Sequence, residues 1–144
     1  MLGEADQRVR LVQEARRLFP GVQTRAKGLE AICDALLDGG QAEEAWTRAL
    51  NALPNVDAPS LVRLQLGKIA AKGGVHPLEG LASLDQVLKE PLEGGSGGLA
   101  SAWWRKGQIH RNVNQLAAAR ECALETLRID PRHPGAAALL KDLP

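Results

Sequence analysis

Tyrosine is absent from this chain, phenylalanine occurs once, and aromatic residues together make up only 3%. Its core must therefore come from Ala, Leu, Val and Ile, and small apolar side chains suit closely packed helices. No apolar stretch reaches membrane-spanning length, which argues against insertion into a bilayer. The opening MLGEADQ is acidic where a secretion leader is basic and then apolar, so the expected location is cytoplasmic. An excess of either charge is missing too. Eighteen Lys and Arg face seventeen Asp and Glu with no basic block, which removes the electrostatic footprint of a nucleic-acid binder and leaves protein partners. Cysteine is scarce: Cys33 and Cys122 both fall inside helical apolar patterns, where buried free thiols are expected rather than a disulfide.

Catalytic chemistry is equally thin. His76, His110 and His133 lie far apart, and none has a second metal-ligating residue at ligand spacing, so no metal is expected. There is no Gly-x-Ser-x-Gly elbow, and neither cysteine has an obvious histidine base. The pair Glu43 and Glu44 opens an exposed helix, where two carboxylates favour the helix dipole. The glycine-rich run 93–98 lacks both the Lys-Ser/Thr ending of a P-loop and a preceding strand. These absences predict a protein that is not an enzyme and needs no cofactor.

What the chain does contain is helical spacing, repeated. In 99–131, Trp103 and Gly107 lie one turn apart, and Ala119, Ala123 and Leu127 form a stripe of small apolar residues on the next helix. Pro131 closes the unit. The same pattern fits 26–54, with Cys33 in the place of Gly107 and Ala45 in the place of Ala119. It fits 59–91 as well, where Leu66-Gly67 supplies the close approach, Lys72 to His76 the turn and Pro77 the second helix. Pro59 suits a first helical turn, with Asp57 placed to cap it. Cys33 to Gly67 is 34 residues and Gly67 to Gly107 is 40. One extra residue falls in the inner turn and five in 93–98, which is expected to be the most mobile internal segment. A helix over 4–19 precedes the hairpins, and a short one over 134–143 follows as a cap.

A large residue, a small residue one turn later, an alanine twelve residues on and a closing proline resemble the tetratricopeptide repeat (TPR). The resemblance covers about 26–143. It implies a single all-α domain over 1–144, a right-handed solenoid of antiparallel helical hairpins forming a TPR-like superhelix. It also implies a peptide-binding groove lined by the first helix of each hairpin. Carried over by position, that groove would present Lys27, Glu30, Asp34 and Asp38, then Leu61, Leu64, Lys68 and Lys72, then Ser101, Trp104, Arg105, Gln108, Arg111 and Asn112. The floor would run from acidic to basic, with Trp104 either an anchor in the groove or packed on the last helix. The dicarboxylate clamp of chaperone-binding members is not expected. Glu30, Asp34, Gln65, Ser101 and Arg105 stand at its places, and only Arg105 fits. Two other readings remain: an assembly module using its ends, its convex face and Trp46, or a dedicated chaperone for a secreted protein.

Overall fold

The computed structural model describes residues 3, 6, 7, 9, 10, 26–90 and 97–144. Among the described residues from Ala26 onward, seven α-helices follow one another: α1 (Ala26–Asp38), α2 (Ala42–Ala52), α3 (Pro59–Gly73), α4 (Pro77–Lys89), α5 (Gly97–Asn112), α6 (Leu116–Ile129) and α7 (Pro134–Lys141). A 3-10 turn, Leu53–Asn55, links α2 to α3. No strand occurs among the described residues, and no helix is long and apolar enough to cross a membrane.

The short turns 39–41, 74–76 and 113–115 fold the helices into three consecutive pairs, α1 with α2, α3 with α4 and α5 with α6. Successive odd-numbered helices pack on one another, α1 on α3, α3 on α5 and α5 on α7, so they form one layer. Each even-numbered helix packs on the odd-numbered helix before it and on the one after it.

The three turns share one device. Gly40, Gly74 and Asn114 adopt φ of 76, 66 and 62°, and each comes seven residues after Cys33, Gly67 or Gly107. In the first and third turns the following amide closes the helix, Gln41 donating to the Leu36 carbonyl and Gln115 to that of His110, both at 2.8 Å. The second turn carries the extra residue, and His76 absorbs it by becoming a second left-handed residue, with φ of 46°. That backbone costs a non-glycine residue about 1 kcal/mol. Offsetting contacts hold it: the ring stacks on Trp46 at 4.7 Å, and Nε2 lies 2.7 Å from Glu43 Oε2.

Close approaches then position the pairs. Cys33 Sγ donates to the Ala45 carbonyl at 3.6 Å, and a Cβ on Gly107 would lie 3.3 Å from the Ala119 carbonyl oxygen. The first and third pairs therefore cross at the same register, as the spacing predicts. In the second pair Gly67 faces the side chain of Leu84 instead. One core cluster spans α1 to α5 and includes Ile32, Leu36, Leu66, Ile69, Leu84 and Ile109. A second joins Ala119 and Ala123 of α6 to Leu139 and Leu143, so α7 closes the apolar end of the row.

Three local expectations change. Asp57 does not cap α3, whose N-cap is Ala58; its carboxylate accepts the backbone N–H of Ala26 at 3.0 Å, at the start of α1. The helix after the glycine run begins at Gly97, so the last two residues of the connection are helical, while 93–96 lie outside the described residues. Of the expected helix over 4–19, Asp6, Gln7, Val9 and Arg10 are described; they are helical, and Val9 packs against the first cluster. The remainder lies outside the described residues.

Both cysteines are free and buried. Burial pushes the Cys33 thiol up to about 12, with the neighbouring Asp34 adding to the shift, and burial raises Cys122 as well. At pH 8 the Cys33 thiolate fraction is then on the order of one in ten thousand. A colorimetric thiol reagent is expected to find neither cysteine in the native protein and both after denaturation. Fast reaction without denaturant would contradict the packing.

Candidate functional site

A cavity of about 270 Å³ opens where α1, α3 and α5 lie side by side. Helical spacing puts its lining there. Leu61, Leu64, Gln65 and Lys68 occupy one face of α3, Ser101 and Arg105 one face of α5, and Ala26 and Glu30 one face of α1. Of the groove residues expected from the sequence, Glu30, Leu61, Leu64, Lys68, Ser101 and Arg105 line it. Ala26 lines it without having been assigned to it, and Gln65, placed at a clamp position, lines it without having been counted among the groove residues. The signal for Gln65 was present: it falls in the i, i+3, i+4, i+7 series with Leu61, Leu64 and Lys68.

The charges are arranged differently from the expected acidic-to-basic floor. Lys68 Nζ lies 2.7 Å from Asp34 Oδ1, and Gln65 Nε2 donates to the same oxygen at 3.2 Å. Asp34 and Lys68, assigned to opposite ends, neutralise each other in the middle. Arg111 is engaged by Asp142 at 3.2 Å, and Asn112 Nδ2 donates to the Ala71 carbonyl at 2.9 Å. Those two side chains tie α5 to the segment after α7 and to α3. Lys27, Asp38 and Lys72 are exposed and do not line the cavity.

Trp104 packs on α7. A Cβ added to Gly135 would fall 2.4 Å from its ring, the ring lies 4.9 Å from that of His133, and Nε1 is buried with no hydrogen-bond partner. Its remaining face supports the Arg105 guanidinium, whose carbon sits 3.8 Å from the ring centroid. Trp103 turns the other way, under the Lys106 ammonium, which also reaches Asp85 of α4 at 2.7 Å.

Arg105 is the electrostatic focus of the cavity. Its Nη1 donates to Gln108 Oε1 at 2.9 Å, and among the described residues no carboxylate lies within ion-pair distance of it. Burial pushes the guanidinium down to about 10, partly countered by Asp34, and it remains protonated at neutral pH. Its stacked, half-buried position fixes the plane of the guanidinium and leaves much of its donor fork unused. Opposite, across α3, Glu30 is exposed. Among the described residues the cavity offers a cation without an ion-pair partner, a carboxylate, an apolar shelf and the amide of Gln65. It offers no nucleophile beside a base, and no group of three metal-ligating side chains occurs among the described residues. No protein-family model matches the chain, and no curated protein matches its sequence.

Proposed function

We propose that this chain is a non-catalytic protein-interaction module of the tetratricopeptide-repeat type, a cytoplasmic right-handed solenoid that holds a partner's peptide segment across α1, α3 and α5. The observation that carries the reading is a single cavity to which three successive odd-numbered helices each contribute side chains. The left-handed residues recurring at 40, 74 and 114, each seven positions after a small crossing residue, support the repeat. A row of like units sharing one continuous face suits an extended ligand. Leu61, 44% exposed beside the half-buried Leu64, is the apolar contact such a segment would cover.

A second reading, an assembly module working through the opposite layer, has its own observation. Leu50, Leu78 and Leu124, on α2, α4 and α6, are exposed, Leu78 at 77%. Trp46 is not available to it, being 5% exposed beneath His76. Leu61→Asp separates the readings, since an exposed position tolerates the change while an anion there opposes an apolar contact. A partner captured from the native host by wild-type protein is expected to bind Leu61→Asp at least tenfold more weakly and Leu78→Asp normally. The reverse pattern would transfer the function to the even-numbered helices.

A further inference from the structure

The mixed charge of the cavity narrows what segment it accepts. Asp34 and Lys68 satisfy each other, and Gln65 completes the pair, so the floor has no net preference for either sign. Among the described residues two lining charges make no ion pair, and they stand on opposite walls: Glu30 on α1 and Arg105 on α5, with α3 between them. The Arg105 guanidinium is stacked at 3.8 Å on Trp104 and half-buried; among the described residues no carboxylate pairs with it directly, and Asp34, which acts on it, is engaged by Lys68. A desolvated cation without a direct ion-pair partner is costly in the free protein, and an arriving carboxylate recovers part of that cost while finding donors already oriented. Glu30 asks for the opposite sign. Leu61 and Leu64 ask for an aliphatic side chain between the two.

Resting on the peptide-binding reading above, we propose that the cavity selects an internal, net-neutral peptide segment. It takes an acidic side chain at Arg105, an aliphatic one over Leu61 and Leu64, and a basic one at Glu30. The acidic group belongs within a segment that also crosses α3 to place a basic side chain at Glu30, and Ser101, one turn before Arg105 on α5, offers that segment's backbone a polar partner. A highly acidic tail is a poor occupant, because Glu30 would repel its second charge.

The test is selection of a random displayed-peptide library on the full chain, followed by affinity measurements on synthetic winners with amidated C-termini. Expected winners carry Asp or Glu on one side of an aliphatic residue and Lys or Arg on the other, and lose binding on Leu61→Asp. Replacing the peptide acid by its amide is expected to cost about tenfold in affinity, Arg105→Gln about the same, and both together little more than either. Arg105→Lys should recover part of the loss. Glu30→Lys should turn preference toward peptides with two acids. If Arg105→Gln fails to fold, as circular dichroism would show, the acid-to-amide pair on wild-type protein decides alone. Winners that need Leu61 but ignore the acid overturn this proposal and leave the peptide-binding reading standing. Loss of binding when the C-terminal amide replaces a free carboxylate also overturns it, in favour of terminal recognition. Winners indifferent to Leu61→Asp overturn both.

Discussion

Gly67→Leu is expected to destabilise the protein by about 3 kcal/mol. A Cβ at position 67 would lie 2.2, 2.4 and 2.8 Å from Leu84 Cδ2, Cγ and Cδ1, and Leu84 is fully buried between α3 and α4. Rotating a methyl away cannot relieve a collision that includes Cγ, so the helices must part. The better helix propensity of leucine returns only about 1 kcal/mol. Gly107, which the spacing alone marks as equivalent, is less crowded. Its nearest neighbour would be a methyl end, Leu139 Cδ2 at 2.8 Å, so the same replacement should cost about 2 kcal/mol. A double-mutant cycle gives the check. Leu84→Ala alone leaves a void worth about 3 kcal/mol, and the new side chain of Gly67→Leu can enter it, so the pair should be at least about 1 kcal/mol better than additive. Additive losses by chemical denaturation would mean the two positions do not meet.

The pattern of helix and turn was legible because it is written in short-range terms. Gly39-Gly40, Gly73-Gly74 and Asn114 end helices through backbone conformations that depend on the residue itself, and Pro59, Pro77 and Pro134 open helices for the same reason. The small residues at 33, 67 and 107 carried the register of the crossings, although only the first and third pairs use it alike. Partnerships were harder. Asp57 sits beside Pro59, and proximity in sequence assigned it to α3; packing instead brings the start of α1 to its carboxylate from 31 residues away. The signs of the groove charges were visible, but not that Asp34 and Lys68 cancel. Yet they lie 34 residues apart, the same interval that separates Cys33 from Gly67, so they hold equivalent positions on adjacent odd-numbered helices and face each other. Six cavity residues are among those that the resemblance carries over by position. What position could not supply was which charges would remain uncompensated, because that depends on contacts between helices. The tryptophan pair left two readings open for a related reason. Adjacent residues on a helix point about 100° apart, and only the course of α7 decides which of the two it covers.

Trp104→Ala is accordingly expected to act on the fold. The indole fills the space above Gly135, where even a Cβ would fall 2.4 Å from the ring, and it packs against the cluster of Ala119, Ala123, Leu139 and Leu143. Truncating a buried tryptophan costs roughly 3–5 kcal/mol, and the partial exposure of this one reduces the expectation to about 2–3 kcal/mol. For a domain of this size that corresponds to a fall in melting temperature of roughly 6–12 °C. The loss should begin at α7, which is eight residues long and relies on this contact and the second cluster to stay docked. Amide exchange in α7 is therefore expected to rise before exchange in α1 to α4. Arg105 loses its stacking plane in the same variant, so a groove ligand would bind more weakly as a secondary effect. Gly135→Ala supplies the independent control, because it displaces the ring without removing it and should lower the melting temperature in the same direction. A Trp104→Ala protein that melts with the wild type, with α7 protected as before, would show that the indole does not hold the last helix.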